Sequence, residues 1–113
     1  MTTRVTYDDF AKLDIRVGTI TRAEPFPEAR KPAFKLWIDF GGDLGEKRSS
    51  AQITRHYTSD SLLGRQVMAV VNFAPRQIGK VLSEVLVLGV PDAEGQVILV
   101  TPDQSAPVGG RLF

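Results

Sequence analysis

The sequence predicts an all-β protein: a small closed or nearly closed barrel of five to six short strands, with two short helices. Six stretches rich in β-branched and aromatic residues are separated by glycine- and proline-containing turns at regular spacing. Residues 34–40 alternate between apolar and polar side chains, which is typical of a strand with one buried face. Helix-start signals occur at only two short segments, around residues 6–13 and 58–63.

Length and composition limit the class of protein. The chain has 113 residues, so we expect one domain spanning residues 1–113. It contains no cysteine, which excludes disulfides, thiolate metal sites and thiol nucleophiles and is typical of a reducing compartment. No apolar run approaches the ~18 residues of a membrane span, and residues 1–10 lack the features of a signal peptide. We therefore expect a cytoplasmic protein without membrane insertion.

The first two elements are a helix and a bent strand. Thr6 is a suitable N-cap, and Asp8 and Asp9 follow it in the first turn, where negative charge suits the helix dipole; Phe10 and Leu13 would share a face. Residues 14–23 then predict a strand, and its interior glycine, Gly18, indicates a sharp bend or a close backbone approach. Three prolines within residues 24–32 predict a loop.

A hairpin follows the loop. In the alternating strand, Phe34, Leu36, Ile38 and Phe40 face one way, and Lys35, Trp37 and Asp39 face the other. Glycine-rich residues 41–45 form the turn, and residues 47–54 return as the partner strand. On that return the predicted inward residues are Ala51 and Ile53, and the predicted outward residues are Arg48, Ser50, Gln52 and Thr54.

The second half predicts a short helix over residues 58–63, capped by Thr58 or Ser59 and ended by Gly64. Strands are predicted over residues 66–73, 84–90 and 96–101, and the first two are apolar on both faces. One such face fills the barrel. The other needs a cover, either the two helices or a second subunit in a symmetric dimer.

The net charge of +1 argues against nucleic-acid binding, but it averages over two unlike parts of the chain. Residues 30–80 hold nine basic and four acidic residues, a net charge of +5. The remaining residues have a net charge of −4. This segregation indicates a basic surface, unless the charges are simply dispersed over a solvated face.

Catalysis is not predicted, and neither is a metal site or a cofactor. His56 is the only histidine, and the acidic residues show no ligand spacing. No serine lies in a nucleophile-elbow pattern, and Ser49 and Ser50 predict an exposed hydroxyl pair that hydrogen-bonds across strands. The glycines of residues 41–45 lack the Lys-Ser/Thr that a phosphate-binding loop requires.

A binding surface is the better prediction. In barrels of the oligonucleotide-binding type, ligands lie on the outer face of strands two and three, between the one–two and four–five loops. On that scheme the polar and basic residues converge on one side of the barrel: Arg30, Lys31, Lys35, Arg48, Ser50, Gln52, Arg76 and Lys80. Trp37 lies on the same face, where it would stack a base, pack under a loop or anchor a subunit contact.

Several motifs resemble the CsaA-type secretion chaperones, a branch of the homodimeric tRNA-binding-domain family. The resemblance runs from about residue 10 to residue 110, and its most specific strings are SSAQIT at residues 49–54 and SEVLVLG at residues 83–89. It implies an oligonucleotide-binding barrel, a homodimer formed through the barrel and the terminal extensions, and no catalysis. It also implies two ligands, structured tRNA and unfolded presecretory polypeptide. The implied tRNA-contact region includes the turn from Asn72 to Pro75 and the Ser83-Glu84 segment that follows it.

The chain departs from the tRNA-binding branch of that family at two places. That branch typically has Gly-Met where this chain has Val85 and Leu86, and Val-Ser-Gly-Ile where residues 51–54 read Ala-Gln-Ile-Thr. Glycine permits close approach of a ligand to the backbone, whereas branched valine does not, which argues against contact at Val85. Two hypotheses therefore remain, and they are not exclusive, because cations around an aromatic side chain can hold either polymer. The first is a homodimeric tRNA- or RNA-binding protein that also has chaperone activity toward presecretory polypeptides. The alternative is a pure peptide-binding secretion chaperone with little or no tRNA affinity.

Overall fold

The computed structural model describes residues 3–27 and 29–113, and its main sheet is an antiparallel, nearly closed barrel. The elements are, in chain order, α1 (Tyr7–Ala11), β1 (Ile15–Pro25), β2 (Phe34–Asp39), β3 (Glu46–Ala51), α2 (Ser59–Leu62), β4 (Gln66–Val70), β5 (Arg76–Ile78), β6 (Val81–Ser83), β7 (Leu86–Val87), β8 (Gly89–Pro91) and β9 (Val97–Leu99). The order of the five barrel strands is β3-β2-β1-β4-β7, and β5–β6 and β8–β9 form two separate two-stranded hairpins. The all-β class with two short helices is confirmed.

Both helices begin where their caps predict. Thr6 caps α1 in a capping box with Asp9, and Thr58 caps α2 in a capping box with Ser61. Helix α1 buries none of its residues, and Leu13 is 37% exposed. Neither helix among the described residues is long and apolar enough to cross a membrane.

Strand β1 pairs with two neighbouring strands and bends between the two pairings. Its first half pairs with β4 and its second half with β2, and the register shifts between Ile20 and Arg22. Gly18 is a close-approach site, as predicted: a Cβ there would lie 2.5 Å from Ile38 Cγ2 and 2.7 Å from Phe40 Cε1. Because β1 continues to Pro25, the predicted loop over residues 24–32 begins too early.

The β2–β3 hairpin confirms the alternation of the first strand and corrects one residue of the second. The four predicted inward residues of the β2 region, from Phe34 to Phe40, are buried. The prediction of an exposed hydroxyl pair is wrong for Ser49, which is 1% exposed. The period of two from the predicted inward residues Ile53 and Ala51 in fact places Ser49 on the same face, and its hydroxyl donates to the Val85 carbonyl at 3.1 Å. Strand β3 also ends at Ala51, before the predicted end at residue 54.

The predicted strand over residues 84–90 is divided in the structure. Strand β7 pairs with β4, while β8 pairs with β9, so the chain changes partner at Leu88. The strands predicted over residues 66–73 and 96–101 both end earlier than predicted, β4 at Val70 and β9 at Leu99. The segment over residues 74–82, interpreted as the four–five loop, forms most of the β5–β6 hairpin.

The second apolar face of β4 is covered by the chain's own C-terminal part. Met68 and Val70 form a buried cluster with Ile15 and Val17, against which Leu88, Val100 and Ala106 pack. Backbone hydrogen bonds join the C-terminal segment to β1, from Gly109 N to the Val17 carbonyl and from Leu112 N to the Ile15 carbonyl, both at 2.8 Å. The expectation that only the helices or a second subunit could cover this face is therefore wrong.

Candidate nucleic-acid interface

A cleft of about 670 Å³ opens between the β1–β2 loop and the β5–β6 hairpin. We call it the large cleft. Loop β1–β2 contributes two cations to it, the end of β3 contributes two polar side chains, and the hairpin contributes a third cation. Its lining residues are Ala29, Arg30, Lys31, Ala33, Ser50, Gln52, Phe73, Ala74, Arg76, Ile78, Ser83, Glu84, Val85 and Leu86.

The cations of the large cleft have no acidic partner within the part of the chain that the structure describes. Arg30, Lys31 and Arg76 are exposed, and none of them lies in an ion pair among residues 3–27 and 29–113. Because no described carboxylate pairs with them, these three cations face the cleft as groups that suit an anionic ligand. The floor between them is apolar, and Phe73 and Leu86 are 49% and 50% exposed.

A second cleft of about 260 Å³ lies on the other side of the β3–β6 contact. We call it the small cleft. It brings together four further predicted site residues from β2, β3 and the turn of the β5–β6 hairpin. Its lining residues are Lys35, Leu36, Trp37, Arg48, Ser49, Lys80 and Val81.

A seam formed by residues 83–85 against β3 separates the two clefts. The amide of Glu84 donates to the Arg48 carbonyl at 2.8 Å, and the Arg48 amide donates to Glu84 Oε1 at 3.1 Å. The same carboxylate lies 3.9 Å from Lys47 Nζ and 3.8 Å from Arg48 Nε. Ser50 N donates to the Ser83 hydroxyl at 3.3 Å, so the predicted site residue Ser83 also helps to close the barrel.

Glu84 organises the seam, a structural role that the sequence did not predict. The resemblance placed the Ser83-Glu84 segment in the implied tRNA-contact region, but the hydrogen-bond partner of Glu84 lies 36 residues away in the chain. Through Glu84, one basic residue of the predicted surface, Arg48, becomes an ion-pair partner together with its neighbour Lys47.

Trp37 points outward and is half-buried, as its place in the alternation predicts. The guanidinium of its β1 neighbour Arg22 lies 4.6 Å from the ring centroid, a cation–π contact. Arg22 Nε in turn donates to Glu24 Oε2 at 2.7 Å. Sequence reasoning missed both Arg22 and Glu24, because the predicted strand stopped at residue 23 and the register shift in β1 was not visible.

The basic middle of the chain converges only in part. Lys35 Nζ lies 3.9 Å from a Glu24 oxygen, and Arg55 pairs with Glu94 at the same distance. Arg65 stacks on Tyr57 at 5.2 Å, and neither Arg55 nor Arg65 lines a cleft. The charge of +5 over residues 30–80 therefore exceeds the charge available in the clefts.

Two predicted residues lie at the margin of the site. The Asn72 side chain accepts from Asp14 N at 2.9 Å and donates to the Lys12 carbonyl at 2.8 Å, which ties the end of the α1 region to the β4–β5 connection. Pro75 lies between two residues of the large cleft, Ala74 and Arg76. Ligand contact by Asn72 and Pro75 stays a prediction.

The resolved pKa shifts of acidic groups belong to residues outside the clefts. A hydrogen bond with His56, at 2.7 Å, lowers the pKa of the Asp92 carboxyl, assisted by the backbone amides of Gln96 and Glu94. A hydrogen bond from Arg16 lowers the pKa of Asp14, with further attraction from Arg16 and Arg111. No group of three His, Asp or Glu residues within residues 3–27 and 29–113 is arranged to hold a metal ion.

Comparison with known proteins identifies the family. Residues 15–111 match the tRNA_bind family, a tRNA binding domain. The structure of chaperone CsaA from Bacillus anthracis str. Ames is 50% identical with a TM-score of 0.90, covering 98% of this chain and 100% of that one. The chain belongs to the CsaA branch of the tRNA-binding-domain family. CsaA from Picrophilus torridus is similarly related, at 51% identity and a TM-score of 0.90 over 97% of this chain and 100% of that one.

Curated relatives of this CsaA-family chain include longer proteins. It is 36% identical over 108 residues to the methionine–tRNA ligase of Flavobacterium johnsoniae, covering 96% of the chain. The chain spans only 15% of that ligase's length. A match of that extent carries no conclusion about the ligase reaction.

Proposed function

We propose that the chain is a non-catalytic, homodimeric RNA-binding protein whose ligand is tRNA or another structured RNA. The observation that carries this proposal is the convergence of Arg30, Lys31 and Arg76 on the large cleft without carboxylate partners among the described residues. Membership of the tRNA-binding-domain family supports the choice of ligand.

Phosphate contacts explain how such a cleft would work. Two exposed cations on the β1–β2 loop and one on the β5–β6 hairpin line the same cleft, so two separate parts of the chain supply the positive charge. RNA helices are recognised mainly through shape, phosphates and 2′-hydroxyls, so folded RNA suits this surface better than a particular sequence does. Ser50 and Gln52 supply neutral hydrogen-bonding groups beside the cations.

The terminal regions provide the surface that we assign to the dimer. Helix α1 buries no residue, and Val5 and Tyr7 are 75% and 73% exposed. Arg111 donates to the carbonyls of Ala11 and Leu13, which places the C-terminus beside α1; Phe113 there is fully exposed. Sedimentation should give twice the 12.4 kDa chain mass, and Tyr7→Ser with Phe113→Ser should give the monomer. A monomeric wild type would contradict the assignment.

The RNA proposal is tested by measuring tRNA binding at several salt concentrations. Arg30→Gln/Arg76→Gln should weaken binding roughly 10- to 100-fold near 0.1 M salt and flatten the plot of log K against log salt, because about 0.7 to 0.9 in slope is lost per phosphate contact. Arg55→Gln is the matched control, since Arg55 pairs with Glu94 outside the clefts, and it should leave the slope unchanged. Equal effects of both variants, or a flat wild-type slope, would contradict the proposal.

A second candidate function, binding of unfolded presecretory polypeptides as a secretion chaperone, is favoured by the apolar floor of the same cleft. Phe73 and Leu86 are half-exposed side chains between the cations, and apolar surface of this kind suits a non-specific polypeptide contact. The CsaA structures are of proteins named chaperones. In its pure form this candidate has little or no affinity for tRNA.

Substitution of the floor separates the two candidates. Phe73→Ser/Leu86→Ser should abolish protection of an unfolded preprotein from aggregation, while tRNA affinity changes less than about threefold, because phosphate contacts lie on the rim. Calorimetry of the wild type with the preprotein should show a negative heat-capacity change from burial of apolar surface. Loss of tRNA binding with retention of protection would reverse the assignment.

A further inference from the structure

The small cleft lies along one flank of a tryptophan whose opposite flank is already occupied. Trp37 has Arg22 of β1 on one side, with the guanidinium 4.6 Å from the ring centroid. The cleft residues outside β2, Arg48, Ser49, Lys80 and Val81, belong to β3 and the β5–β6 hairpin, and β3 pairs with β2 on the edge opposite β1. Trp37 is thus supported by a β1 residue and lines a cavity formed with the elements beyond the opposite edge of β2.

We infer that the small cleft receives one unstacked base from a single-stranded segment of the bound RNA, stacked against Trp37. This inference rests on the proposed RNA-binding function and names the part of the RNA that this second site takes. A flat aromatic wall suits a π-face, which every base has, and cations around it suit the adjoining phosphate.

The support of the ring favours binding over simple packing. Arg22 is held by Glu24, whose other oxygen lies 3.9 Å from Lys35 Nζ at the cleft wall. Trp37 is therefore positioned before any ligand arrives, so little side-chain entropy remains to be lost on stacking. A tryptophan needed only as a core residue would face inward with Leu36 and Ile38, both fully buried.

The β5–β6 hairpin connects the two clefts. Arg76 and Ile78 line the large cleft, and Lys80 and Val81, a few residues later around the same turn, line the small one. Lys80 is exposed and lies in no ion pair within residues 3–27 and 29–113. A sugar–phosphate backbone crossing the hairpin could therefore meet Arg76 and Lys80 in turn. The preferred RNA would be a folded region adjoining an unpaired nucleotide.

The test uses the intrinsic fluorescence of Trp37, because it is the only tryptophan in the chain. The probes are a single-stranded oligoribonucleotide of about 12 nucleotides, within the usual site size of such barrels, and a blunt duplex of the same sequence. The single strand should quench Trp37 emission, whereas the duplex should bind in a salt-dependent way without quenching. Labelled RNA should report about tenfold weaker single-strand binding for Trp37→Leu, the effect of losing one base stack, and near-normal binding for Trp37→Phe.

Lys80→Gln provides a second variant that leaves Trp37 in place, and it should weaken the single strand more than the duplex. Salt-dependent binding of both RNAs with unchanged Trp37 emission and unchanged Trp37→Leu affinity would overturn the subsite while leaving the RNA proposal intact. Absence of binding by either RNA would overturn both. Quenching by an unfolded polypeptide but not by RNA would overturn the subsite by assigning the small cleft to peptide.

Discussion

The large and small clefts are built from the same kinds of residues but differ in how the protein uses its own charges. In the large cleft, Arg30, Lys31 and Arg76 have no carboxylate partner among the described residues. In the small cleft, Lys35 lies near Glu24, and Arg48 is bound to Glu84. Proximity of basic residues is therefore a poor measure of the positive charge offered to a ligand.

This difference assigns a separate contribution to each cleft. Free cations release counterions when they meet phosphate, so the large cleft should supply affinity that falls with salt. In the small cleft, Lys35 and Arg48 are paired and Lys80 alone lies in no ion pair among the described residues, so this cleft should supply mainly stacking affinity, with a smaller dependence on salt. Glu84 in the seam between the clefts pairs with Lys47 and Arg48, which places these two residues among the paired cations.

The largest expected effect concerns Val85, which borders the large cleft. Its side chain is only 5% exposed and packs in the main core, so little of it is placed to obstruct a ligand. Val85→Gly should lower the free energy of unfolding by about 3 kcal/mol, from the cavity and the added backbone freedom, without raising tRNA affinity. Urea unfolding and tRNA titration measure the two quantities, with the exposed Leu86→Ala as control. A tighter tRNA complex in the glycine variant would show that valine obstructs the site.

A smaller effect, on RNA affinity, is expected when the negative charge of Glu84 in the seam is removed. Glu84→Gln retains a hydrogen-bond acceptor for the Arg48 amide but releases Lys47 and Arg48 from their ion pairs. RNA binding should become about threefold tighter and its salt slope steeper, because the small-cleft side then offers free cations. Unchanged affinity and slope would indicate that ion pairing with Glu84 does not limit these residues.

The smallest effect is on stability alone and concerns Asp14, which lies outside both clefts. The Arg16 hydrogen bond keeps the pKa of Asp14 below its usual value near 3.9. The folded state therefore binds fewer protons there, so this stabilisation is complete above about pH 4 and is lost as pH falls through the lowered pKa. Asp14→Asn should be less stable at pH 7 and should show a shallower loss of stability between about pH 5 and 2. An acid profile identical to that of the wild type would contradict this role.

Local rules predicted the elements whose partners are near in sequence. The alternation from Phe34 to Phe40 and the Thr6 and Thr58 caps depend on a few adjacent residues, so they are visible in the sequence alone. The close approach at Gly18 was also predicted, because glycine lacks a side chain, but the distant residues that it meets, Ile38 and Phe40, were not identified.

Features that depend on distant partners were missed or misassigned. The C-terminal cover of β4 uses residues without strand periodicity, and the Val85 carbonyl that accepts from the buried Ser49 hydroxyl lies 36 residues away in the chain. The pairing of Arg22 with Trp37 depends on the register shift in β1, and no glycine, proline or other turn residue marks that shift in the sequence. Most of the predicted site residues consequently line a cleft, but the prediction missed the apolar lining and could not separate paired cations from those without a described partner.

The central claim, that the free cations of the large cleft carry the electrostatic part of RNA binding, is tested by a charge-matched pair of variants. Arg30→Gln/Arg76→Gln and Lys35→Gln/Arg48→Gln each remove two positive charges, so a difference between them reports location and not net charge. We predict that the salt slope of tRNA binding falls by roughly 1.5 to 2 in the large-cleft variant and by less than about 0.5 in the small-cleft variant. Equal falls in slope would contradict the account.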